Sequence, residues 1–444
     1  MTRFFTIMRY SHRNRSILYG QKPADRNKRE REQIIMKPLK VAIGFATGRK
    51  GFQDVLKSYV YHLKESELLS RQNIELHLFV AYDLAYNHTT VEDYTQLDPS
   101  VAGAFASCTF LGKEDIWQTA QTLCEQGVIE KDEAPLCFGN GYAAQRNAVL
   151  YSAMAQKMDQ LLFLDDDEYP LAVTESKNYL LWSGQHVLES HIEYLRNADM
   201  TNGYHCGYIS PIPYLEFDHI LSEQDFKAFI LALSNDVLNW DSIKSIMQAG
   251  GITYADKTIL MEQQAWAAEE VHGAKFITGG NLGINLSVPE RVQVFYNPPG
   301  ARGEDTFLST SLKDVNVKYI PTYTFHDGFG QYGRLLDGVL PNKLQPIEAG
   351  SEQVITRFYK ACVGWVRYKP LYTYLTQRQA FDEVMEDMQA QLTNAVPKIC
   401  SFFNRREFED VLREFQAYRA KVQIHQQEFS RCKHIWEKIK ASLS

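Results

Sequence analysis

Residues 161–168 have the sequence Leu-Leu-Phe-Leu-Asp-Asp-Asp-Glu, in which four apolar residues are followed directly by four acids. The apolar half predicts a short buried strand. Carboxylates gathered at a strand end repel one another unless a cation lies among them. Hard oxygen ligands of this kind favour Mg²⁺ or Mn²⁺ over softer metals. The stretch therefore predicts a divalent metal site at a strand end, and the alternative interpretation is a solvated acidic turn.

The composition is that of an ordinary globular protein. The chain has 444 residues, 45% of them hydrophobic and 23% charged, which is enough for a large core in two or more structural units. We see no apolar stretch near the roughly 20 residues that span a bilayer, and no secretory signal. Seven cysteines without a Cys-X-X-Cys pair fit a reducing cytosol better than a disulfide framework or a zinc site.

These properties predict where the protein is found and what it contacts. We expect a cytoplasmic protein, and a net charge of −7 gives it no general reason to bind nucleic acid. Peripheral contact with the inner face of a membrane and assembly into a homo-oligomer stay open. Residues 1–35 carry nine Lys or Arg against three acids and predict a flexible basic extension. Contact with anionic lipid or with a polyanionic substrate is one interpretation of that extension, and a simple upstream extension is the one we favour.

The next segments alternate between strand and helix patterns. An apolar run at residues 39–45 ends in the loop 46–51, and a helical pattern follows; a second strand pattern, 74–81, ends at Tyr82-Asp83. This alternation predicts a mainly parallel sheet with helices on both faces, which binds ligands beyond the carboxyl ends of its strands. We assign residues 36–338 to this domain, with an insertion near 170–275 that includes a strand near Gly207 to Pro211. Residues 339–444 are predicted to be helical only.

A second group of polar residues lies downstream of the acidic run. It comprises the glycine-rich stretch 278–283, the stretch 298–306 with Glu304-Asp305, and Phe325-His326-Asp327. Glycine lets a backbone approach a bulky ligand closely. Glu304 and Asp305 open a predicted helix, where an acid can cap free amides or face a ligand. His326 follows a predicted strand, where it is either a packed histidine or a metal ligand.

Taken in order, these segments resemble the GT-A glycosyltransferases, and most closely the family 2 group of inverting, nucleotide-sugar-dependent enzymes. The resemblance covers about residues 39–330. It implies a GT-A fold, that is, an α/β fold with a mainly parallel sheet and helices on both faces, followed here by the helical C-terminal region. It also implies Mn²⁺ or Mg²⁺ as cofactor.

The resemblance further implies roles for particular residues. The nucleotide-sugar site would include the loop after the first strand, the acid after the second, the start of the helix before the acidic run, and the acids of the DxD-like motif: Ala46, Thr47, Asp83, Arg146, Asn147, Asp165 and Asp166. Gly280 and Arg302 are further candidates for donor contacts. Asp167 and His326 would bind the metal, with Asp165 orienting the nucleotide or joining the metal shell. Asp305 would be the general base, and Glu304 is the reserve for that role.

The implied activity is metal-dependent transfer of a sugar from a nucleotide sugar, most simply a UDP- or GDP-sugar, to a glycan, lipid-linked or protein acceptor, with inversion. Retention stays open as well, because a histidine like His326 also occurs among retaining GT-A enzymes. Such transfer would serve polysaccharide or glycoconjugate synthesis. Gln331-Tyr332-Gly333-Arg334 resembles the QxxRW motif of processive synthases, but Leu335 replaces the tryptophan, so we expect transfer of one sugar or a short series. Two other functions stay open. One is a sugar-phosphate nucleotidyltransferase that uses Gly48-Arg49-Lys50-Gly51 as its nucleotide loop, and the other is a non-catalytic nucleotide- or glycan-binding protein.

Overall fold

The computed structural model describes residues 37–66, 68, 73–177, 179–233 and 240–443. The predicted basic extension, residues 1–35, lies outside the described residues. From Leu39 onward the chain forms one compact unit.

Four of the strands that the structure describes have eight residues or more, and the others are shorter. In chain order they are β1 Leu39–Thr47, β2 Ile74–Tyr82, β3 Ser107–Leu111, β4 Gln160–Phe163, β5 Glu168–Tyr169, β6 Leu171–Ser176, β7 Tyr179–Gly184, β8 Met200–Gly207, β9 Trp266–Ala267, β10 Glu270–Val271, β11 Ala274–Lys275, β12 Leu282–Asn285 and β13 Val317–His326. In β1, every residue from Val41 to Thr47 is buried. An apolar run buried on both faces is typical of a central strand in a sheet covered by helices.

The main sheet holds nine strands among the described residues, in the order β3-β2-β1-β4-β12-β8-β13-β5, with β9 also paired to β13. Strands β3, β2, β1 and β4 are parallel neighbours, and β8 pairs in parallel with β13. Because β12 is antiparallel to both β4 and β8, these six strands all run in one direction. Their carboxyl ends therefore meet at one edge of the sheet, where the site described below lies.

Helices cover both faces of this sheet and then form a C-terminal region. They are α1 Phe52–Ser66, α2 Glu92–Thr95, α3 Pro99–Ala102, α4 Lys113–Glu125, α5 Ala134–Phe138, α6 Tyr142–Ala155, α7 Val187–Tyr194, α8 Glu223–Leu233, α9 Trp240–Gln248, α10 Lys257–Glu262, α11 Glu304–Ser309, α12 Glu352–Thr376, α13 Phe381–Phe403, α14 Glu409–Ala420 and α15 Val422–Leu443. Short 3₁₀ turns occupy Leu195–Asn197, Pro289–Arg291, Gly333–Asp337 and Arg406–Phe408.

The core has two parts, one on each face of the sheet. On one face, Val41 and Ile43 of β1 pack with α1 and α7 residues such as Val55 and Ile192. On the other face, Ala42 joins a cluster that extends through α6 to the C-terminal helices. The predicted α/β class, with a mainly parallel sheet covered on both faces and a helical C-terminal region, is confirmed, and it is consistent with a GT-A-like fold. None of the helices that the structure describes is long and apolar enough to cross a membrane.

The segment 170–275 contributes an integral strand to the sheet. The strand predicted near Gly207 to Pro211 instead ends at Gly207, because β8 occupies Met200–Gly207 between β12 and β13. Gly207 has φ +89°, and a Cβ there would lie 2.6 Å from the carbonyl oxygen of His326. The backbone turns at this glycine, so that the following residues leave the sheet and reach the cleft at its edge.

Candidate active site

A cavity of about 1070 Å³ opens at the carboxyl edge of the sheet. Its wall combines the acidic loop after β4, the end of β13, the start of α11 and one side of α12. Nine of the site residues predicted from the sequence line it: Ala46, Arg146, Asp165, Asp166, Asp167, Arg302, Glu304, Asp305 and His326. The structure thus brings together sequence segments that are more than 250 residues apart in the chain. The acidic loop follows β4 and His326 ends β13, and both strands end at this edge, whereas Glu304 and Asp305 open α11.

Asp167 and His326 converge on one point in this cavity. The Oδ2 atom of Asp167 lies 3.2 Å from Nε2 of His326. The other ring nitrogen of His326, Nδ1, lies 2.6 Å from the backbone carbonyl oxygen of Tyr208 and must donate to it. That bond leaves Nε2 facing the carboxylate, which is the orientation of a metal-binding histidine fixed by an outer hydrogen bond.

The electrostatics at Asp167 are those of a carboxylate held by cations. Burial would raise its pKa, but His326 and Arg49 outweigh burial and hold the pKa of Asp167 well below its usual range. Although burial opposes it, Asp167 raises the pKa of His326 to about 9. Arg49 also forms an ion pair with Asp167. Without another cation, the imidazolium and the guanidinium supply the positive charge that this carboxylate needs.

The donor set at this point fits a divalent cation that is completed by substrate. Among the described residues, no group of three or more His, Cys, Asp or Glu side chains forms a full metal shell. Mg²⁺ commonly binds through one or two carboxylates together with substrate phosphates and water. Asp167 and the oriented side chain of His326 suit such a site. For a cation to bind Asp167, the ion pair between Arg49 and Asp167 would have to open.

Asp166 faces the loop after β1 and helps to fix the acidic turn. Its Oδ2 accepts a 2.5 Å hydrogen bond from the hydroxyl of Thr47, and its Oδ1 lies 3.4 Å from Arg49. Burial raises the pKa of Asp166 to about 6, although Arg49 opposes that rise. Thr47 is buried and does not line the cavity. Its side chain therefore holds the acidic loop, whereas Ala46 lies on the cavity wall.

Asp165 is tied to the second group of acids through Arg146. Arg146 is only 3% exposed, and its Nη2 donates to Oδ1 of Asp165 over 2.8 Å. Its Nη1 donates to the carbonyl oxygen of Gly279 over 2.8 Å, and its Nε lies 3.4 Å from Oε1 of Glu304. A Cβ on Gly280 would lie 2.7 Å from Oδ2 of Asp165. Gly280 therefore allows the glycine-rich stretch to approach the acidic loop, and Arg146 joins the two groups of acids.

This bridge leads to a stability prediction. We expect Arg146→Ala to lower the free energy of unfolding by about 3 kcal/mol, because it leaves Glu304 and Asp165 without their buried cation. Urea unfolding monitored by circular dichroism measures the change. The control is Arg334→Ala, which removes an exposed pair with Asp337 and should cost less than about 1 kcal/mol. Equal losses in the two variants would contradict a bridging role for Arg146.

Asp305 lies in the first turn of α11, next to Glu304. Its Oδ2 accepts a 3.2 Å hydrogen bond from the backbone N–H of Gly279, and its Oδ1 accepts one of 2.8 Å from Thr306. Burial and the neighbouring charge of Glu304 raise the pKa of Asp305 to about 6. Asp305 thus binds free amides, as one of the two sequence interpretations expected, and still faces the cavity with a pKa suited to a base.

Two residues expected to bind the nucleotide sugar lie elsewhere. Asn147 is completely buried, and its side chain exchanges hydrogen bonds with the backbone of Phe295 and donates to Cys137. Asp83 is exposed at the end of β2, where it accepts a 2.9 Å bond from the backbone N–H of Ala85, and it does not line the cavity. The structure therefore uses Asn147 to join α6 to the loop before α11, and leaves Asp83 at the rim.

Several cavity residues were not assigned to the site of a glycosyltransferase from the sequence, and Arg49 was named only in the loop of the nucleotidyltransferase alternative. Arg49 follows β1, which pairs with β4 in the sheet. This strand pairing is the signal that could have placed Arg49 beside the acids that follow β4. Tyr86 and Tyr142 line the same side, with their ring centroids 6.1 Å apart. The long helix α12 forms a whole wall with residues that include Glu352, Gln353, Thr356, Arg357, Lys360, Ala361, Gly364, Trp365 and Tyr368. The prediction that residues 339–444 are helical gave no sign of this wall.

Comparison with known proteins gives little further information. No protein-family model matches this chain. No curated protein sequence matches it either. Among solved structures it is similar to the glucosyl-3-phosphoglycerate synthase of Mycobacterium tuberculosis, determined with Mn²⁺, UDP and glucosyl-3-phosphoglycerate. The two chains are 10% identical, the match covers 73% of this chain and 80% of the other, and the TM-score is 0.31. At this TM-score the likeness supports no conclusion about function.

Proposed function

We propose that this protein is a metal-dependent glycosyltransferase of the GT-A type that transfers a sugar from a nucleotide sugar to an acceptor hydroxyl with inversion. The observation that carries the proposal is the convergence of Asp167 and His326, 3.2 Å apart, in the same cavity as the half-buried carboxylate of Asp305. Asp167 and His326 can hold a cation on a departing phosphate, and the carboxylate of Asp305 can accept a proton.

The donor side of the cavity would consist of the acidic loop and its neighbours. Asp167 and His326 would hold Mn²⁺ or Mg²⁺, which when bound stabilises the charge that develops on the leaving diphosphate. Asp165 would orient the nucleotide, while Ala46 lines its path and Arg302 offers a cation from the loop before α11. The backbone around the nucleotide would be held in shape by Thr47, Asn147 and Gly280. Asp83 would contact the base from the end of β2.

The acceptor side would depend on Asp305. An acceptor hydroxyl attacks the anomeric carbon as its proton passes to the Asp305 carboxylate; the bond from that carbon to the diphosphate oxygen breaks, and the nucleoside diphosphate departs with the electron pair. A pKa of about 6 keeps Asp305 ionised near neutral pH and still basic enough to take the proton. Glu304, paired with Arg146, would keep Asp305 in place. A single displacement of this kind inverts the anomeric centre.

The nucleotidyltransferase alternative fits this site less well. It would need a basic residue of the loop 48–51 to hold the triphosphate, and Arg49 is instead paired with Asp166 and Asp167, while Nζ of Lys50 lies 3.9 Å from Asp93. It would also give no catalytic role to Asp305, whose pKa is raised. The non-catalytic alternative would likewise leave the carboxylate of Asp305 in the cavity without a purpose.

Two parallel reactions test the proposal against these alternatives. We expect a nucleotide sugar with Mn²⁺ to yield a free nucleoside diphosphate. We expect nucleoside triphosphates with sugar 1-phosphates to yield no pyrophosphate. Release of pyrophosphate without release of nucleoside diphosphate would assign the nucleotidyltransferase reaction. Metal-dependent nucleotide binding without any product, across a broad acceptor panel, would assign the non-catalytic role.

A further inference from the structure

Helix α12 presents two basic side chains to the cavity, one helical turn apart. Arg357 and Lys360 both line the cavity wall. Residues three apart lie on the same side of a helix, so the two cations face the same space. The guanidinium of Arg357 lies over the ring of Phe329, with its Cζ 4.4 Å from the ring centroid. This contact fixes the orientation of its planar donor fork.

Arg357 and Lys360 differ from three arginines that form ion pairs with acids of the cavity. Arg146 pairs with Asp165 and Glu304, Arg49 pairs with Asp166 and Asp167, and Arg405 pairs with Glu352. In the part of the chain that the structure describes, neither Arg357 nor Lys360 has a carboxylate within salt-bridge distance. The cavity thus contains a local excess of positive charge on α12.

The surroundings of Arg357 disfavour an isolated cation. Burial lowers the pKa of Arg357; Asp167 opposes this effect, while the charges of Arg49 and Arg302 add to it. An anion bound among these groups would relieve both the burial cost and the repulsion. A cation kept in such a place is better explained by a ligand than by the stability of the fold.

Helix α12 also connects the two halves of the proposed reaction. A Cβ on Gly328 would lie 2.2 Å from Nη2 of Arg357 and 2.7 Å from Cε1 of His326, so that Arg357 lies beside the metal-binding histidine. Eleven residues further along α12, a distance of about 16 Å at 1.5 Å per residue, Tyr368 packs against Gly303 at the start of α11. A ligand lying along α12 can therefore touch the two cations while it extends toward Asp305.

We propose that Arg357 and Lys360 bind a phosphate group carried by the acceptor, so that the acceptor is a phosphorylated molecule that extends along α12 and brings a free hydroxyl to Asp305. The proposal rests on the proposed function, since it assigns the second substrate of the same cavity. A guanidinium fork beside a lysine ammonium matches the geometry and charge of a phosphate dianion. Arg302 and the metal site remain for the diphosphate of the donor.

The test uses calorimetric titration of the whole chain with glycerol 3-phosphate as the probe, and with glycerol as the neutral counterpart. Saturating Mn²⁺ and pyrophosphate are present to fill the donor's diphosphate site. We expect glycerol 3-phosphate to bind and glycerol not to bind. Arg357→Gln and Lys360→Gln should each raise the dissociation constant by about tenfold, because each removes a charged hydrogen-bond donor.

Matched controls separate this site from general charge effects. Arg378→Gln and Lys421→Gln remove exposed cations that do not line the cavity, and they should leave binding unchanged. Thermal unfolding of every variant shows that it is folded. Binding of glycerol 3-phosphate that is seen only when manganese pyrophosphate is left out would assign the two cations to the donor instead and overturn the proposal. Equal weakening in the control variants would overturn it as well.

The result also separates this proposal from the proposed function. A protein that releases nucleoside diphosphate from a nucleotide sugar but binds no glycerol 3-phosphate overturns the acceptor site alone. A protein that binds glycerol 3-phosphate but turns over no nucleotide sugar overturns the proposed function, and with it the assignment of this phosphate to an acceptor.

Discussion

Asp167→Ala is expected to lower metal-dependent turnover of the nucleotide sugar by at least about 1000-fold, because stabilisation by a bound metal supplies several kcal/mol and each 1.36 kcal/mol is tenfold in rate. The variant removes the carboxylate that faces His326 and leaves Arg49 paired only with Asp166. The measurement is the initial rate of nucleoside diphosphate release at saturating Mn²⁺. Titration of Mn²⁺ should also show weaker binding in the presence of the donor.

The control for this variant is Asp382→Ala, which removes an exposed acid in the first turn of α13, outside the cavity. It should retain the wild-type rate. If Asp167→Ala keeps more than a tenth of the wild-type rate while Asp382→Ala keeps all of it, Asp167 does not bind an essential metal. The donor side of the proposal would then be wrong.

Asp305→Asn should produce the second large effect, a loss of about 10²–10⁴-fold in transfer to the acceptor, which is the usual contribution of a general base. The substitution keeps the shape of the side chain and removes its ability to take the proton. We expect the donor to bind normally, because Asp305 does not touch Asp167 or His326. Rates measured at saturating donor isolate the loss in the chemical step.

The pH dependence gives a sharper test of Asp305. A base must be deprotonated, and burial raises the pKa of Asp305 to about 6, so the wild-type rate should fall as the pH decreases through about 6. Asp305→Asn should lack this acidic limb. Asp382→Asn is the matched control and should keep it. A variant at position 305 with an unchanged rate and pH profile would show that Asp305 only binds backbone amides at the start of α11.

Much of the fold could be predicted because the decisive patterns are local. The apolar runs of β1, β2 and β4 each end abruptly in polar residues, and strand periodicity together with alternating helices indicates a parallel sheet. The acids at 165–167 and His326 lie at such ends, so their convergence follows from the rule that parallel strands end at one edge. Asp305 instead opens α11, and that rule does not predict its place on the same cavity.

Other features depend on tertiary pairing that one sequence does not reveal. Asn147 and Arg146 are neighbours at the start of α6, yet Asn147 binds the backbone of buried loops while Arg146 reaches the acids. Their directions depend on how α6 packs against β1 and on the loop that carries Gly279. The ion pairs of Arg49 with the acidic loop likewise depend on the pairing of β1 with β4.

Helix α12 shows another feature that the sequence could not predict. Its apolar residues Val354, Phe358 and Cys362 are buried and produce the helical stripe that the sequence displays. The stripe marks the packed side and carries no information about what the polar side faces. Only the docking of this helix along the carboxyl edge of the sheet turns Arg357 and Lys360 into cavity residues.

The most direct measurement is nucleoside diphosphate release from a panel of UDP-, GDP- and dTDP-sugars, with CMP release from CMP-sugars measured alongside, by the wild-type chain in Mn²⁺ and in excess chelator. We expect one donor to be turned over in Mn²⁺ and none in chelator. Release that is equal with and without chelator, or no release and no metal-dependent binding of any donor, would contradict the assignment of this cavity to metal-dependent glycosyl transfer.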